Sequence, residues 1–461
     1  MQTYLQQNTA IAAVATPAGA GAVGIVRLSG MGALQIAEKV FRPSHSKTPL
    51  CGMKGYTGCL GRVETAEGQI DEAVAFVYRA PHSYTGEDVV ELCCHGNTLL
   101  LQRVLDALLQ AGAQPAGPGE FTRRAFENGK LSLDQAESVM ELINAQSESG
   151  ARAALAARDG ALWKTISACT EQLLDASAHL TAWVDYPEEG VEEVENGALL
   201  QTLREVECRL NRLLEGYDAG RILRQGVDTV IAGRPNVGKS TLMNLLAGAR
   251  RSIVTAIPGT TRDVVEDSVR LGRLVLRLSD TAGLRATDDP VEQAGVEIAR
   301  ERLASCDLAF AMFDSSRPLE EEDLELAALL KGRPCVAIIN KTDLERRLDT
   351  AKLTESFGAV VEMSANTGKG VEDLTAAVEG LLLSESFDPA QPALVTARQK
   401  DCVRRAASAI GEACGALEMG LTYDALSVCI DEATDALLEL TGGRATIDVV
   451  DRVFEKFCVG K

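Results

Sequence analysis

Gly233-Arg-Pro-Asn-Val-Gly-Lys-Ser240 decides how this chain is read. It follows a mostly apolar, β-branched run, Val227 to Ile231, and opens a segment, Thr241 to Leu246, of helical character. A strand, a glycine-rich loop and a helix in G-x-x-x-x-G-K-[ST] spacing make a phosphate-binding P-loop. Gly233 and Gly238 permit backbone geometry that side chains resist. The N–H groups of Asn236, Val237, Gly238, Lys239, Ser240 and Thr241 are thereby expected to turn toward a polyphosphate. Lys239 is placed to reach the β- and γ-phosphates, and the Ser240 hydroxyl to complete a Mg²⁺ shell.

Working outward, Asp280-Thr281-Ala282-Gly283 ends an apolar strand about forty residues later. There Asp280 would hold a water ligand of the Mg²⁺, and the Gly283 N–H would sense the γ-phosphate. Gly259-Thr-Thr-Arg-Asp263 lies between the first helix and the second strand, where a switch loop belongs, and Thr261 is the candidate second hydroxyl on Mg²⁺. Asn340-Lys341-Thr342-Asp343 follows the apolar strand Cys335 to Ile339. A carboxylate at Asp343 accepts hydrogen bonds from the guanine N1–H and 2-amino group, which adenine does not supply; each unpaired buried group costs roughly 1–3 kcal/mol. Ser364-Ala365, after the last strand, braces that carboxylate and the base. These elements in this order describe a guanine-nucleotide site of a GTP hydrolase.

The residue after Asp-Thr-Ala-Gly is Leu284, where many GTPases carry a water-orienting glutamine. Asp288, Asp289 and Glu292 are the nearby acids, and their chemistry alone does not choose among them. Asn236 and the stretch Thr255-Ala256-Ile257-Pro258-Gly259-Thr260-Thr261 raise a related question. A switch loop beside the phosphates can offer carbonyls to a monovalent cation, which would stabilise developing charge as an arginine finger does elsewhere. Alternatively, Asn236 only shapes the loop. Both readings stand at this level.

With 461 residues the chain should hold two to four domains. At 46% hydrophobic and 24% charged residues its composition is that of an ordinary globular protein. No run of eighteen apolar residues occurs, so no membrane span is expected. Met1-Gln-Thr-Tyr-Leu5 lacks the features of a signal peptide, and a cytoplasmic location is expected. Twelve cysteines without a C-x-x-C read as small hydrophobes and not as zinc ligands or disulfides. The net charge of −20 opposes non-specific nucleic-acid binding, so any nucleic acid must be held by a local patch or through a partner.

Residues 1–125 read as an α+β module, with strands at Ile11–Val14, Val23–Leu28, Glu72–Tyr78 and Asp88–Cys94 and helices at Leu34–Val40 and Leu99–Gln110. From Leu131 to about Gly216 the period becomes helical, interrupted clearly only at Tyr186-Pro-Glu-Glu-Gly190, and Leu199, Leu200, Leu203, Val206, Leu210, Leu213, Leu214 and Tyr217 share one face. Strands are expected at 227–232, 264–271, 274–280, 308–314, 334–340 and 359–363, in a doubly wound order. Helical periodicity returns from Thr396 to Leu440, and Val449, Val450, Val453, Phe454 and Phe457 predict a docked terminal helix. The expected division is thus an N-terminal module, 1–125; a helical domain in two halves, 126–217 and 385–461; and a P-loop domain, 218–384, inserted between them. Cys458 reads as a packed thiol, and the Lys ending of Cys458-Val-Gly-Lys461 argues against prenylation.

Taken together the chain resembles the MnmE (TrmE) family of tRNA-modification GTPases over nearly its full length. The resemblance rests on the P-loop, on Gly-Thr-Thr-Arg-Asp and on Asp-Thr-Ala-Gly-Leu-Arg. It rests equally on Ala15-Thr-Pro17, Gly24-Ile-Val-Arg27, Tyr84-Thr-Gly-Glu-Asp-Val-Val-Glu-Leu92, Pro118-Gly-Glu-Phe-Thr122 and the Cys-Val-Gly-Lys end. It implies a homodimer whose N-terminal module dimerises and binds 5-formyl- or methylene-tetrahydrofolate through Arg27, Glu91, Lys130 and Lys461. It implies K⁺ held by Asn236, Thr255, Ile257 and Thr260, Mg²⁺ by Ser240 and Thr261, and Glu292 as the acid that orients the attacking water. It also implies a heterotetramer with a FAD-dependent MnmG (GidA)-like partner, which adds an aminomethyl-type group to C5 of the wobble uridine of certain tRNAs. Ala256, Asn97 and Gly442-Gly-Arg-Ala-Thr-Ile447 depart from the family's usual pattern. The competing expectation is a regulatory RNA- or ribosome-assembly GTPase of the Era or Der kind.

Overall fold

In the computed structural model, residues 9–44, 48–145, 147–185, 194–249, 267–280, 302–303, 305–382 and 391–461 are described. The N-terminal sheet contains β1 (Ile11–Val14), β2 (Val23–Ser29), β3 (Phe41–Pro43), β4 (Thr57–Thr65), β5 (Gly68–Tyr78), β6 (Val89–His95) and β7 (Gln114–Pro115). Their order is β3-β4-β5-β6-β2-β1-β7, antiparallel except for the β1–β7 pair. Side chains alternate between faces along a strand. Val26, Leu28, Val63, Ala73, Ala75, Val77, Val90 and Leu92 therefore share one core with Leu34 and Ala37 of helix Ala33–Val40 and Leu101, Val104 and Leu108 of helix Thr98–Gln110. The opposite face carries Arg27, Leu60, Phe76, Tyr78 and Glu91.

The four expected N-terminal strands and two helices form. Strands β3, β4 and β7 and helix Glu120–Glu127 were not expected. β3 and β7 are three and two residues long, too short to show a period. Asn97, one of the departures, caps the second helix: its side chain accepts from the N–H groups of Leu99 and Leu100. An N-cap asparagine of this kind stabilises a helix by about 1 kcal/mol, which is a local reason for the residue.

The helical regions form Leu133–Asn144, Glu148–Arg158, Ala161–Asp185, Asn196–Glu215, Ala397–Glu418, Tyr423–Thr441 and Ile447–Phe454. Of the expected stripe, Leu199, Leu203, Val206, Leu210, Leu213 and Tyr217 are buried, whereas Leu200 and Leu214 are half-buried. The continuous patterns are broken more often than periodicity suggested. Ser147 caps helix Glu148–Arg158 by accepting from Gly150 N–H, and Gly160, at φ 87°, follows the end of the same helix. Breaks of only two or three residues are too short for periodicity alone to reveal them.

The second sheet has the order β13-β12-β11-β8-β10-β9, built from β8 (Val227–Gly233), β9 (Asp267–Leu271), β10 (Leu274–Asp280), β11 (Leu308–Asp314), β12 (Cys335–Asn340) and β13 (Ala359–Glu362). It is parallel except for β9 against β10. Alternate residues of β8, β11 and β12 enter two separate cores. Ile231, Phe310, Met312 and Ile338 pack with Leu242 and Leu246 on one side; Val230, Ala311, Phe313 and Ile339 pack with Leu326 and Leu353 on the other. Burial on both faces is why these strands read as unbroken apolar runs. By spatial contact the chain divides into two compact units: Met1–Met140 with Trp163–Val206 and Arg405–Lys461, and Glu141–Leu162 with Glu207–Arg404. No described helix is long and apolar enough to cross a membrane.

Candidate functional site

The P-loop leaves the C-terminal end of β8, between β10 and β11, where doubly wound sheets bind ligands. Gly238 has φ 106°, and a Cβ there would strike the Asn340 side-chain amide. Only glycine fits both demands. Asn236 is left-handed at φ 66°, a conformation asparagine tolerates better than most residues, and its side chain is exposed. Loop shape alone thus accounts for an asparagine here, while its exposure leaves the amide free to meet a ligand. Lys239 Nζ donates to the carbonyls of Gly233 (2.7 Å) and Arg234 (3.1 Å), which folds the lysine back over the loop. Helix Lys239–Ala249 starts at this point and directs its first N–H groups into the loop. Ser240 and Thr241 are exposed at that helix start.

Asn340 ties the phosphate loop to the base site. Its Nδ2 donates to the Val237 carbonyl (2.7 Å), and its Oδ1 accepts from Ala365 N–H (2.8 Å). Ser364 Oγ donates to Asp343 Oδ1 at 2.6 Å, fixing the carboxylate that sequence assigned to guanine. Lys341, at φ 65°, stands between them in the chain. Asn340, Lys341, Asp343, Ser364 and Ala365 are therefore assembled as expected. The sequence reading missed two supports. Arg234 forms ion pairs with Glu320 (2.6 Å), Glu322 (3.1 Å) and Asp323 (3.5 Å) at the start of helix Glu321–Leu330. Asp314, at the end of β11, pairs with Lys341 Nζ at 2.6 Å. Burial works to raise the Asp314 carboxyl, but hydrogen bonds from Lys341 and Ser316 outweigh it and hold it below the usual range. The available signal was an acid closing a strand otherwise wholly apolar.

Asp280 ends β10, paired in register with Ile231, and only its backbone is described. Thr255, Ala256, Ile257, Pro258, Gly259, Thr260, Thr261, Thr281, Ala282, Gly283 and Glu292 lie outside the described residues.

A second cluster lies on the N-terminal sheet. Arg27 and Glu91 are register partners on β2 and β6, and Arg27 Nε donates to Glu91 Oε1 at 2.8 Å. Each side chain is 17% exposed. Tyr84 and Phe121 rings flank the guanidinium at 5.9 and 5.5 Å from their centroids, and Arg27 also donates to the Gly460 carbonyl (3.2 Å). Phe121 N–H donates to the Lys461 carbonyl, which brings the chain's last residues to the cluster. Burial first and the Arg27 charge second hold the Lys461 ammonium below its usual range. Two partly desolvated cations near a single glutamate carboxylate suit an anionic group. Lys130 is not in direct contact with this pair: its Nζ donates to the Pro81 carbonyl (3.2 Å), against the loop that carries Tyr84. Cys458 is exposed and not packed, contrary to the expectation, because its backbone makes the docking contact by accepting from Gly119 N–H (3.3 Å). Cys94, Cys169, Cys335, Cys402 and Cys414 are buried as expected, Cys208 is exposed against that expectation, and burial pushes the thiols of Cys94 and Cys335 up to about 12.

Comparison with known proteins adds the family. Residues 10–130 match the model described as GTP-binding protein TrmE N-terminus, and residues 133–458 match the MnmE helical domain. The chain is 46% identical to the tRNA modification GTPase MnmE of Symbiobacterium thermophilum, covering 98% of this chain and 99% of that one. The proteins of the same name from Heliobacterium modesticaldum and Geobacter metallireducens are 41% and 39% identical, the first covering 98% of this chain and 99% of its own, the second 99% and 100%. With an N-terminal α+β domain, a helical domain and a P-loop sheet that carries a braced Asn-Lys-Thr-Asp pocket, the chain belongs to the MnmE (TrmE) family of tRNA-modification GTPases.

Proposed function

We propose that this chain hydrolyses GTP to GDP and phosphate as part of tRNA wobble-uridine modification. The Asp343–Ser364 brace carries the reading, because Asn340, which accepts from Ala365 N–H next to Ser364, also donates to the P-loop carbonyl of Val237. A carboxylate fixed in that place selects guanine, and Lys239 with the helix N-terminus beside it suits a polyphosphate. Mg²⁺ would be held by Ser240 and Thr261 and would neutralise phosphate charge when bound. The proposed domains are 1–125, 126–217 with 385–461, and 218–384; the family models, which meet near residue 130, bear on the first boundary alone.

The finer reading has three parts. A K⁺ ion held by Asn236, Thr255, Ile257 and Thr260 would take the place of an arginine finger, and Glu292 would orient water where Leu284 replaces glutamine. GTP turnover in K⁺ is expected to exceed that in Na⁺ by roughly tenfold or more, and Glu292→Ala to lose most of it at unchanged GTP affinity. Equal rates in the two salts would remove the cation from the mechanism. A folate such as 5-formyl-tetrahydrofolate would bind at Arg27, Glu91 and Lys461, with Lys130 at the margin. Arg27→Ala is expected to weaken its retention at least about tenfold in equilibrium dialysis, as the loss of a charge-assisted pair implies. No binding of folate by the unmodified chain would sink this part. The third part is assembly: a cytoplasmic homodimer working with a FAD-dependent MnmG-like protein and tRNA. Leu60 and Phe76, 42% and 39% exposed on the sheet's open face, support a second copy as its cover; a monomer in sedimentation would exclude it.

A further inference from the structure

Lys341 is held at both ends by one short stretch of β11 and its following turn. Its carbonyl accepts from Ser315 Oγ (2.8 Å), and its Nζ donates to Asp314 Oδ2 (2.6 Å). Asp314 is itself fixed, because its Oδ1 accepts from Ser316 N–H (3.0 Å) and Ser316 Oγ (2.6 Å). Asp314 is 9% exposed and lies in register with Asn340 on the neighbouring strand. A buried carboxylate with this many donors is a rigid anchor. Lys341 needs one, since it has a flexible stem and a left-handed backbone, which costs strain unless the surroundings enforce it. That backbone also aims the next residues: Thr342 N–H donates to Met363, and Asp343 meets Ser364.

We propose that Asp314, supported by Ser315 and Ser316, is a positioning residue that sets guanine-nucleotide affinity by pre-ordering Lys341 and, through it, Asp343. The proposal rests on the GTP reading above and adds a determinant of it. Ordering a side chain before the ligand arrives removes that cost from binding. The anchored group faces the base side of the site, so GTP and GDP are affected alike.

Titration of the full chain with a fluorescent GDP analogue, with GTP as competitor, tests this. Asp314→Asn is expected to raise both dissociation constants by about tenfold, the size of one charge-assisted hydrogen bond. The KM for GTP rises by more than kcat falls. Lys341→Ala gives a similar loss, and Asp314→Asn adds nothing further in the Lys341→Ala background, as a shared pathway requires. Should Asp314→Asn not fold, Ser316→Ala, which removes a single bond, gives a smaller loss in the same direction. Unchanged constants in Asp314→Asn, or in Ser316→Ala if that variant has to stand in, overturn the proposal, as do losses that multiply in the double variant. Failure of the unmodified chain to bind GTP overturns the GTP reading itself and is thereby distinct.

Discussion

Asp343→Asn is expected to exchange guanine for xanthine as the preferred base. The Asp343 carboxylate presents only acceptors; Ser364 Oγ fixes it by donating to one oxygen at 2.6 Å, and lone pairs remain on both oxygens, one for the guanine N1–H and one for the 2-amino group. An amide in its place turns an NH₂ donor toward the 2-amino donor, so both sides lose a partner in a desolvated site. At about 1–3 kcal/mol for each unpaired group, affinity for GTP falls by roughly 10²- to 10⁴-fold. Xanthine carries a carbonyl at C2, which accepts from that NH₂, so XTP binding and turnover rise as GTP turnover falls. Lys239, bonded to the carbonyls of Gly233 and Arg234, lies elsewhere and is unchanged. Competition between GTP and XTP for the purified variant measures the exchange. Retention of GTP preference would show that Asp343 does not face the base, and would remove the observation on which the functional reading stands.

Phe454→Ala carries the largest expected cost in stability. Phe454 is 2% exposed, with its ring centroid 5.2 Å from Phe457 and 6.4 Å from Phe126, in a cluster that includes Leu133, Ala136, Val450 and Val453. Gly119 makes room for this packing: a Cβ there would lie 2.8 Å from Phe457 Cβ and 3.1 Å from the Phe454 ring. Removing a buried phenyl ring leaves a cavity and costs about 3–5 kcal/mol. The same packing holds Cys458 to Lys461 against Gly119 and Phe121, so folate retention should fall with stability while GTP affinity holds. Denaturant unfolding and folate retention on one preparation check both. A loss under about 1 kcal/mol would mean that the terminal segment docks by its backbone bonds alone.

The phosphate and base motifs were legible because each is local. A P-loop is one turn between a strand and a helix, and Asn340 to Asp343 is one turn after another strand, so residue type and spacing contain the chemistry. The apolar runs of β8, β11 and β12 were legible for a related reason, since burial on both faces leaves an unbroken signal. The Arg27 cluster had no such local signal. Resemblance to a family supplied its members, and residue spacing would not have found them.

What the chain determined by itself is therefore the nucleotide, the fold class of the P-loop domain and the amphipathic face of its helices. Tertiary structure decided the rest through pairings distant in sequence. Arg27 meets Glu91, 64 residues away, because β2 and β6 pair in one register, and meets Gly460, 433 residues away, because Phe454 and Phe457 dock the terminal segment. Asp314 reaches Lys341, 27 residues on, because β11 and β12 lie side by side. A one-residue change of register would turn either β-strand partner to the other face of its sheet. Register is set by the packing of whole layers, and no short stretch of sequence contains it.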